Sequence, residues 1–425
     1  MTEELIHFQW KYAHHQMKGL CTDSGDIVEV IDPGHHNHDS GPDFFNAKVK
    51  LGSTIWAGNV EIHVKASDWE RHGHNTNPAY DSVVLHVVAI NDGPTINSKG
   101  NRIATVTTGY PDKLEWEYLR LVGSNGWIPC DAKLKAIHEV ELRVWLTSLC
   151  FERLQVKSDL VNEEVDSAKG SWEEAFYRSV ARSFGLKVNG LPFHTLAKAT
   201  PLRVLSRVRD NLMTIEAIMY GQAGMLADPN HDESQYYQAL VKEYRFQQQK
   251  NSLDPIPVHL WKFMRLRPVA FPTIRLAQFA MLIHRSSGLL SKVLEAKDYA
   301  AISGLLRVGC SDYWNNHYRF GRESKEHIKT LGDDTIRVII LNSIVPFMFA
   351  YGCARSNQNL KDKAMELLER IKPEANSVVQ GFAKLGVKAD SALFSQALVQ
   401  LKSQYCDSRK CLFCPVGVKI LLKAK

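Results

Sequence analysis

The sequence predicts an α/β domain over residues 1–112, followed by a large all-α helical domain over residues 113–400. Two observations lead to this division. Before Pro111, segments with alternating apolar and polar residues are separated by clusters of Gly, Pro, Asn and Asp, which is typical of strands joined by turns. After Pro111, apolar residues recur at helical spacing and strand candidates are few. A Cys-rich tail, residues 401–425, ends the chain.

The N-terminal elements are predicted in the order helix, strand, hairpin, short helix and further strands. An amphipathic helix is expected over residues 3–18. Ser67, with Glu70 three residues later, has the spacing of a helix cap. The segment 83–90 is the most apolar strand candidate, so we expect it to be central in the sheet. Strands are predicted over residues 26–31, 44–51, 55–65, 83–90 and 102–108.

The remaining chain is predicted to form helices separated by proline-containing breaks. No internal repeat of fixed period is present in the sequence, which excludes the familiar solenoids. Helices are predicted over residues 136–164, 171–184, 201–221, 233–250, 259–267, 273–297, 333–352, 360–371, 373–386 and 390–405.

The ends and the apolar runs of the chain predict a cytoplasmic protein. The first four residues are acidic rather than basic, and no apolar segment like that of a secretory signal follows them. The most apolar run, residues 338–350, is too short to span a bilayer and contains Asn342, Ser343 and Pro346. We interpret it as a buried helix.

Charge is distributed unevenly along the 425 residues, whose formal net charge is +6. Residues 1–112 carry 8 Lys and Arg against 14 Asp and Glu, together with 10 of the 17 histidines; the remainder carries 44 against 32. An acidic, histidine-rich part and a basic part suit a metal site beside a surface that binds a polyanion. An uneven scatter of solvated charge is the alternative.

Two acidic residues are placed where neighbouring strands bring them together. Glu61, His63 and Lys65 alternate with apolar residues, so they share one face of their strand. Asp43 enters the preceding strand after a Gly-Pro corner, which restricts the backbone and would hold its carboxylate in place. The pair has the oxygen ligands that Mg²⁺ or Mn²⁺ binds, and a nearby basic group would stabilise charge developing on a phosphodiester. The alternative is that these polar residues simply form the solvent-exposed face of the sheet.

The first quarter of the chain resembles the PD-(D/E)XK phosphodiesterase superfamily. Pro42-Asp43 matches the first signature element and Glu61-Ile62-His63 the second, with histidine in the position of the lysine. The resemblance implies a restriction-endonuclease-like mixed sheet, with Asp43, Glu61 and the Ile62 carbonyl as metal ligands. It also implies His63 or Lys65 as the basic group, and Glu3 or Glu4 as an accessory acid.

Over its whole length the chain also resembles a bacterial family of unknown function. The runs that carry this resemblance are Ser40-Gly41-Pro42-Asp43-Phe44, Gly58-Asn59-Val60-Glu61-Ile62-His63 and Tyr313-Trp314-Asn315-Asn316-His317-Tyr318, together with the tail that begins at Tyr405-Cys406. This resemblance implies no activity.

Further histidines form two compact groups, which are candidates for a nitrogen-rich zinc site. His72 and His74 flank Gly73 and precede a polar run, so a flexible loop is the preferred interpretation. One of them, or His86 on the apolar strand, is a candidate to line the Asp43/Glu61 cleft; for His86, a hydrogen-bonded core position is the alternative. The other group consists of His35, His36, His38 and Asp39.

Three cysteines in the tail, Cys406, Cys411 and Cys414, have the C-x4-C-x2-C spacing of metal ligands. Zinc is the preferred metal because C-x2-C is a common half of a zinc site. An iron–sulfur cluster and unliganded thiols are the alternatives. A fourth ligand is required, and Cys353, Cys310 or a histidine are candidates.

Two segments of the helical domain interleave cations with aromatic residues, a composition typical of grooves that bind single-stranded nucleic acid. Aromatic residues at helical spacing are also typical of a core covered by outward-pointing cations, which is the alternative. The candidate contact residues are Arg265, Arg267, Arg275, Trp314, Arg319 and Arg322.

The sequence therefore favours a metal-dependent nuclease with a basic helical part that binds DNA or RNA. The alternatives are a non-catalytic nucleic-acid-binding or scaffold protein derived from a nuclease fold, and a zinc-dependent hydrolase. His63 in the lysine position keeps the non-catalytic alternative open. No Gly-Lys-Ser/Thr phosphate-binding loop is present in the sequence, so ATP-driven cleavage by this chain is not expected.

Overall fold

The structure is a computed structural model that describes residues 2–13, 17, 19–37, 39–228 and 231–423. It contains two compact units. The first consists of Met1–Trp145, Gln380–Val387 and Val399–Lys425, and the second of Leu146–Val379 and Lys388–Leu398. The first unit therefore extends past the predicted boundary at residue 112 and includes the Cys-rich tail.

The first unit contains a mixed six-stranded sheet. Its strands are β1 (Val28–Asp32), β2 (His35–His36), β3 (Phe44–Leu51), β4 (Thr54–Lys65), β5 (Val83–Ile90) and β6 (Ala104–Thr107). Along the sheet the order is β1-β3-β4-β5-β6, and β2 also pairs with β3. The pairs β1/β3 and β3/β4 are antiparallel, whereas β4/β5 and β5/β6 are parallel.

The helices account for most of the remaining described chain. In order they are α1 (Glu3–Ala13), α2 (Asp68–Arg71), α3 (Asp112–Val122), α4 (Glu139–Ser167), α5 (Trp172–Phe184), α6 (Leu186–Ala199), α7 (Leu202–Ser206), α8 (Leu212–Gln222), α9 (Gln235–Asn251), α10 (Pro272–Arg285), α11 (Leu289–Glu295), α12 (Tyr299–Leu306), α13 (Asp333–Ile339), α14 (Val345–Ala354), α15 (Gln358–Arg370), α16 (Ser377–Lys384), α17 (Ala392–Gln400) and α18 (Pro415–Leu422). A short hairpin, β7 (His317–Arg319) and β8 (Arg322–Glu323), lies between α12 and α13.

The sheet forms because apolar residues on alternate positions of its strands are buried in one core. Phe44 and Val49 on β3, Val60 and Ile62 on β4, and Leu85 on β5 are all fully buried. The connection from β4 to the parallel strand β5 runs through α2 and two short 3-10 turns, His74–Thr76 and Pro78–Tyr80. This crossover carries His72 and His74, which the sequence identifies as candidate metal ligands.

The predicted strands are confirmed within two residues at each end. The most apolar strand, β5, is an interior strand, as expected, although β4 occupies the middle of the order. Two details of the prediction are wrong. Met17 lies outside α1, and the Ser67 side chain does not cap α2, because its hydroxyl donates to Asp92 Oδ2 at 2.7 Å.

The second unit is helical and packs around large aromatic side chains. Phe279 on α10 is almost fully buried, with ring centroids 5.6 Å from Tyr177, 5.0 Å from Phe184 and 6.4 Å from Phe193. Such aromatic contacts contribute both buried area and a preferred ring geometry. A mixed sheet followed by a helical region is therefore the architecture of this chain, as the sequence predicts.

Three of the predicted helices differ in the structure. The segment 259–267 is not a helix: only the 3-10 turn Val258–Leu260 forms there, and Arg265 has a φ of 61°. The segment 201–221 is interrupted because Asn211 caps α8, its side chain accepting from the Thr214 N–H. The segment 273–297 is interrupted at Gly288, whose φ of 60° suits glycine.

One helical run, Asp333–Ala354, is long and apolar enough to cross a membrane, with a mean hydropathy of 1.7. In the structure 72% of its most apolar window is buried inside the protein, as in the core helix of a globular unit. A π-helical turn, Ile340–Ile344, lies in the middle of this run. The prediction of a buried helix at residues 338–350 is consistent with this burial.

Candidate metal and catalytic site

Asp43 and Glu61 are held together by reciprocal hydrogen bonds between β3 and β4. The Asp43 N–H donates to Glu61 Oε2 at 3.0 Å, and the Ile62 N–H donates to Asp43 Oδ2 at 2.9 Å. Gly41, just before Asp43, has a φ of 105° that favours glycine. Each carboxylate thus accepts a hydrogen bond from a backbone N–H of the neighbouring segment, and the shared ion stays a prediction.

His7 on α1 orients Asp43 from the other side. Its Nε2 lies 3.2 Å from Asp43 Oδ2. Burial acts to lower the pKa of His7, but the hydrogen bond and the negative charge of Asp43 outweigh it, so the net shift is upward. Burial likewise acts to raise the pKa of Asp43, and its bonds to His7 and the Ile62 N–H shift the net value downward. The two groups therefore favour a charged pair.

Glu61 faces imidazoles with its second oxygen. Its Oε1 lies 3.2 Å from Nε2 of His74 and 3.6 Å from Nε2 of His63. Only 4% of Glu61 is exposed, and burial raises the pKa of its carboxyl, with the nearby Asp43 charge acting in the same direction. The pKa of Glu61 is therefore shifted in the direction opposite to that of Asp43.

Three histidines form a compact donor cluster beside Glu61. One ring nitrogen from each of His63, His72 and His74 lies within 4.8 Å of the other two, and His63 Nε2 is 3.1 Å from His72 Nδ1. Of the three, His72 is exposed, whereas the other two are buried. The cluster is therefore open to its surroundings on the side of His72.

A chain of hydrogen bonds continues from His63 into the core. His63 Nδ1 lies 2.9 Å from His86 Nε2, and His86 Nδ1 lies 2.7 Å from Thr95 Oγ1. His86 pairs directly with Glu61 in the parallel β4/β5 register and is fully buried. Such a partner fixes the ring orientation of a histidine that faces a ligand.

The electrostatics make His63 and His86 neutral. Burial is the largest cause of a pKa of about 3 for each, and neighbouring histidines contribute to the lowering for His63. A neutral imidazole is a metal ligand, but it cannot supply the positive charge of the lysine that the PD-(D/E)XK signature has at this position. Position 63 therefore suits a nitrogen donor better than a cationic base.

Aromatic packing holds the His72–His74 segment in place. The His74 ring stacks on Tyr80 with centroids 3.7 Å apart, and Trp69 lies edge-on to it at 5.3 Å. Trp69 is fully buried, and its Nε1 donates to the Ile96 carbonyl at 2.9 Å. His74 is therefore buried against aromatic side chains, which the loop interpretation did not anticipate, whereas His72 is exposed.

Lys65 is the second predicted candidate for the basic group. Its side chain is exposed at the end of β4, where it interacts electrostatically with Asp92. Among the described residues it forms no ion pair with Asp43 or Glu61. The assignment of Lys65 as the basic group therefore has no supporting contact within the described residues and stays a prediction.

The first helix contributes one of the two predicted accessory acids. Glu3 is close enough to His7 and Asp43 to interact with both, and burial raises the pKa of its carboxyl. Glu4 instead accepts a hydrogen bond from the Tyr118 hydroxyl at 3.4 Å. Sequence reasoning missed His7, although its spacing of four residues from Glu3 places the two on one helix face.

The described members of the second predicted group, which consists of His35, His36, His38 and Asp39, do not form a compact donor cluster like that of His63, His72 and His74. His35 is exposed on β2, while the His36 ring stacks on Phe44 with centroids 4.7 Å apart and lies 5.4 Å from His7. His38 lies outside the described residues. Within the described part of the chain, three His, Cys, Asp or Glu donors within 4.8 Å of one another occur only at His63, His72 and His74.

Two of the predicted nucleic-acid contacts lie in the core of the second unit. Arg275 is 7% exposed and donates to Gln278 Oε1 and Thr335 Oγ1, both at 2.9 Å, and burial lowers its pKa to about 10. Trp314 is fully buried and donates to the Tyr236 hydroxyl at 3.1 Å. Neither side chain is available to a ligand at the surface, so these two predictions are wrong.

The other four predicted nucleic-acid contacts differ in how far their side chains are exposed to solvent. Arg265, Arg267 and Arg322 are exposed. Arg319 is half-buried between the rings of Phe263 and Phe271, with its guanidinium carbon 4.5 and 4.8 Å from their centroids. Arg319 therefore has a packing role as well as a charge.

The candidate site offers two kinds of metal-binding donor atom. Two carboxylates and three imidazoles supply hard oxygen and borderline nitrogen donors, a mixture that suits Mn²⁺ and Zn²⁺. The hydrogen bond between His63 Nδ1 and His86 Nε2 is the kind of outer contact that orients a metal-binding histidine.

Comparison with known proteins places the chain in a family. A family model described as "Protein of unknown function (DUF2851)" matches residues 3–377. The chain belongs to this family. No curated protein and no solved structure matches it. The matched residues include Asp43, Glu61 and the histidine cluster, whereas Cys406, Cys411 and Cys414 lie beyond them.

Proposed function

We propose that this protein is a metal-dependent nuclease whose divalent ion is bound by Asp43, Glu61 and the histidine cluster. One observation carries the proposal. The two carboxylates are fixed beside each other by reciprocal hydrogen bonds, and the imidazole of His74 lies 3.2 Å from Glu61. Carboxylates and imidazoles that converge in a pocket are a common arrangement for metal-assisted hydrolysis.

The arrangement of elements supports the resemblance to the PD-(D/E)XK superfamily. That superfamily has the element order helix-strand-strand-strand-helix-strand. The order α1, β1, β3, β4, α2, β5 matches it, and the two-residue strand β2 is an addition. Asp43 precedes the second of these strands, and Glu61 lies on the third. This is the placement that the resemblance implies for the two metal ligands.

The histidines make this site different from a carboxylate-only site for Mg²⁺. Mg²⁺ prefers oxygen ligands and retains much of its water, whereas imidazole favours Mn²⁺ and Zn²⁺. We therefore expect Mn²⁺ or Zn²⁺ to support activity at lower concentration than Mg²⁺. A divalent ion bound there would supply a Lewis acid toward a phosphodiester.

The protein side chains have separate roles in this proposal. Asp43 and Glu61 provide negative ligands, and His63, with its pKa lowered to about 3, provides a neutral one. His7 replaces the missing lysine as a source of positive charge, because the net shift of its pKa is upward beside Asp43. Glu3, whose pKa is raised by burial, is positioned to hold or release a proton next to that pair.

The substrate class is inferred from charge. Residues 113–425 carry 44 basic against 32 acidic side chains, and Arg265, Arg267 and Arg322 are exposed. Basic surface attracts a polyanion such as DNA or RNA, and this attraction falls with added salt.

Cleavage assays with matched variants test the proposal. The full chain is incubated with single- and double-stranded DNA and RNA and with Mg²⁺, Mn²⁺ or Zn²⁺. Asp43→Asn and Glu61→Gln should each lower the rate by roughly 100-fold, equivalent to about 3 kcal/mol of transition-state stabilisation. Glu70→Gln, which replaces an exposed carboxylate of the same unit, is the control and should retain activity.

The histidine triad favours a second candidate, a zinc-dependent hydrolase acting on another ester. Activity with Zn²⁺ on small phosphate or carboxylate esters, together with no cleavage of any nucleic acid, would replace the nuclease proposal. Salt-sensitive nucleic-acid binding without hydrolysis under any metal would instead indicate a non-catalytic binding protein.

A further inference from the structure

A pocket of about 590 Å³ lies within the second unit. Its wall is formed by α4, α5, the start of α6 and the helical run from α13 to α14, together with Glu374 after α15. All of these segments belong to the part of that unit that spans Leu146–Val379. Pockets that bind small molecules have volumes of about 300 to 1,000 Å³. This pocket is therefore large enough for a small organic ligand.

Two cations in the wall of this pocket have no protein partner. Arg182, near the end of α5, and Lys187, at the start of α6, are both exposed. Within the described part of the chain, neither side chain forms an ion pair or a hydrogen bond. Arginine and lysine bind phosphate and carboxylate groups, arginine through two parallel N–H donors. Both side chains are therefore available to an anionic ligand.

The two acidic side chains in the wall are already engaged by the protein. Glu164 Oε1 accepts from Arg178 at 3.2 Å, and Glu164 Oε2 lies 2.8 Å from His194 Nε2. Glu374 accepts a hydrogen bond from the Gln396 amide and interacts electrostatically with two cations of α4. The charge that remains available to a ligand in this pocket is therefore mainly positive.

A third cation, Lys157 on α4, is fixed in the wall by three hydrogen bonds. Its ammonium donates to the Leu341 carbonyl at 3.2 Å and to Asn342 Oδ1 at 3.1 Å. It also donates to Gln396 Oε1 at 3.1 Å. Burial lowers the pKa of Lys157 to about 7, so the amine is only partly charged at neutral pH. An anion bound in the pocket would favour the charged form and would be attracted by it in turn.

The π-helical turn Ile340–Ile344 forms part of the wall and has a cause in the sequence. Pro346 has no N–H, so it cannot donate to the carbonyls of Asn342 and Leu341, four and five residues before it. The ammonium of Lys157 supplies a donor to the Leu341 carbonyl instead. Because π-helical turns inside α-helices frequently occur at functional sites, this turn is a second observation that points to a ligand.

A strained residue lies in the same wall. Leu186, where α5 meets α6, has a φ of 51°, in the left-handed region that leucine rarely adopts. Residues held in such conformations cluster at sites that bind ligands. The sharp connection at Leu186 also brings Arg182 and Lys187, from two different helices, to one pocket.

Much of the remaining wall is apolar. It includes Leu160 and Val161 of α4, Val338 of α13 and Phe347 of α14. An apolar wall with a few convergent polar groups is typical of a pocket that binds an organic molecule. Inorganic phosphate alone would leave this apolar surface uncovered, so the ligand that fits has an organic part beside its anionic group.

We propose that this pocket binds a small phosphate monoester, whose phosphate contacts Arg182, Lys187 and Lys157. The organic part of the ligand lies against the apolar wall. A phosphate monoester carries a charge of about −1.5 to −2 at neutral pH, which suits three cations better than the single charge of a carboxylate. This site uses none of the residues of the candidate metal site, and it does not depend on nuclease activity.

Calorimetric titration of the full chain tests the proposal. Adenosine 5′-monophosphate and phenyl phosphate are titrated at low ionic strength, with a chelator present to remove divalent ions. Both should bind, whereas adenosine, which lacks the phosphate, should bind at least about tenfold more weakly. Glucose 6-phosphate, whose organic part is polar, should bind more weakly than phenyl phosphate because it cannot use the apolar wall.

Substitutions at exposed positions locate the binding site. Arg182→Gln and Lys187→Gln should each weaken the binding of phenyl phosphate by about tenfold. Leu160→Trp should weaken it as well, because the larger side chain fills the pocket from a position that is 58% exposed. Arg203→Gln replaces an exposed cation of the same unit that does not line the pocket, and it is the matched control. Asp43→Asn should also bind phenyl phosphate like the unmodified protein.

The outcomes that contradict the proposal are distinct from failure of the nuclease proposal. If neither adenosine 5′-monophosphate nor phenyl phosphate binds at millimolar concentration, the pocket is not a phosphate monoester site. Unchanged binding in both Arg182→Gln and Lys187→Gln would also overturn the proposal. Loss of binding in Asp43→Asn would place the ligand at the candidate metal site instead. Loss of cleavage in Asp43→Asn with unchanged phenyl phosphate binding would support both proposals.

Discussion

Acid should destabilise the first unit of the metal-free protein because two buried histidines are kept neutral. The pKa values of His63 and His86 are lowered from 6.5 to about 3 by burial. A depressed pKa contributes stability that is fully present above the unfolded value, 6.5. That stability is lost as the pH falls toward the folded value, 3, because only the unfolded chain gains the protons.

The size of the effect follows from the two pKa values. At pH 5 an unfolded histidine is largely protonated, whereas each of these two remains neutral in the folded unit. Each histidine then lowers the free energy of unfolding by about 2 kcal/mol relative to pH 8, or about 4 kcal/mol for the pair. This figure is set mainly by the unfolded pKa, since pH 5 lies well above the folded pKa.

Amide hydrogen exchange at increasing urea concentrations measures this loss of unfolding free energy in the strands that carry His63 and His86. Peptides from β4 and β5 report the free energy of opening at pH 8 and pH 5, after correction for the intrinsic exchange rate. In His86→Gln, the difference between the two pH values should fall to about 2 kcal/mol, because one titrating group is removed. His35→Gln, at an exposed position on β2, should behave like the unmodified protein.

One result would refute this reasoning. If the unmodified, metal-free protein loses less than about 1 kcal/mol between pH 8 and pH 5, the two histidines are not neutral and buried together. If the unmodified protein and His86→Gln lose the same free energy of unfolding between pH 8 and pH 5, His86 is not neutral and buried.

Three further predictions concern other residues. Lys65→Ala should leave cleavage within about twofold of the unmodified rate, since Lys65 is exposed and interacts with Asp92; a large loss in a rate assay would restore it as the basic group. Glu216 is buried and its pKa is raised to about 7, so the second unit should lose roughly 3 kcal/mol between pH 4 and pH 7 as the unfolded carboxyl ionises. Urea unfolding should show a much smaller loss over this range in Glu216→Gln. Arg275→Ala should lower thermal stability without changing the salt dependence of nucleic-acid binding, whereas Arg322→Ala should reduce that dependence.

Much of the first unit was predictable because strand alternation and turn residues are local signals. The segment 44–51 was placed to the residue, and alternation put Glu61 and His63 on one strand face. The pairing of Asp43 with Glu61 followed from two neighbouring strands joined by a short turn. Residues brought in by tertiary packing, such as His7 from α1, had a weaker signal, in this case only a helix face shared with Glu3.

The histidine and cysteine groups show where sequence reasoning was limited. The polar run after His74 indicated a loop, but the stacking of His74 on Tyr80 depends on the crossover between β4 and β5. Cys130 is an isolated cysteine in the sequence, and only the fold of the first unit brings the loop before it against the tail, where Arg409 donates to the Ser124 carbonyl at 2.7 Å. In the helical region, periodicity could not separate surface cations from Arg275, whose partner Thr335 is distant along the chain.

The reciprocal bonds between Asp43 and Glu61 also limit how this sequence can vary. A single-residue insertion or deletion between residues 54 and 61 would turn Glu61 to the opposite face of β4 and break both bonds at once. Length changes at the exposed Gly52-Ser53 turn would leave the pairing of Phe44 with Val60 unaltered. Homologues with the site intact should therefore differ in length at the hairpin turn but not within these strands, and grafting the site onto another scaffold would require both strands together.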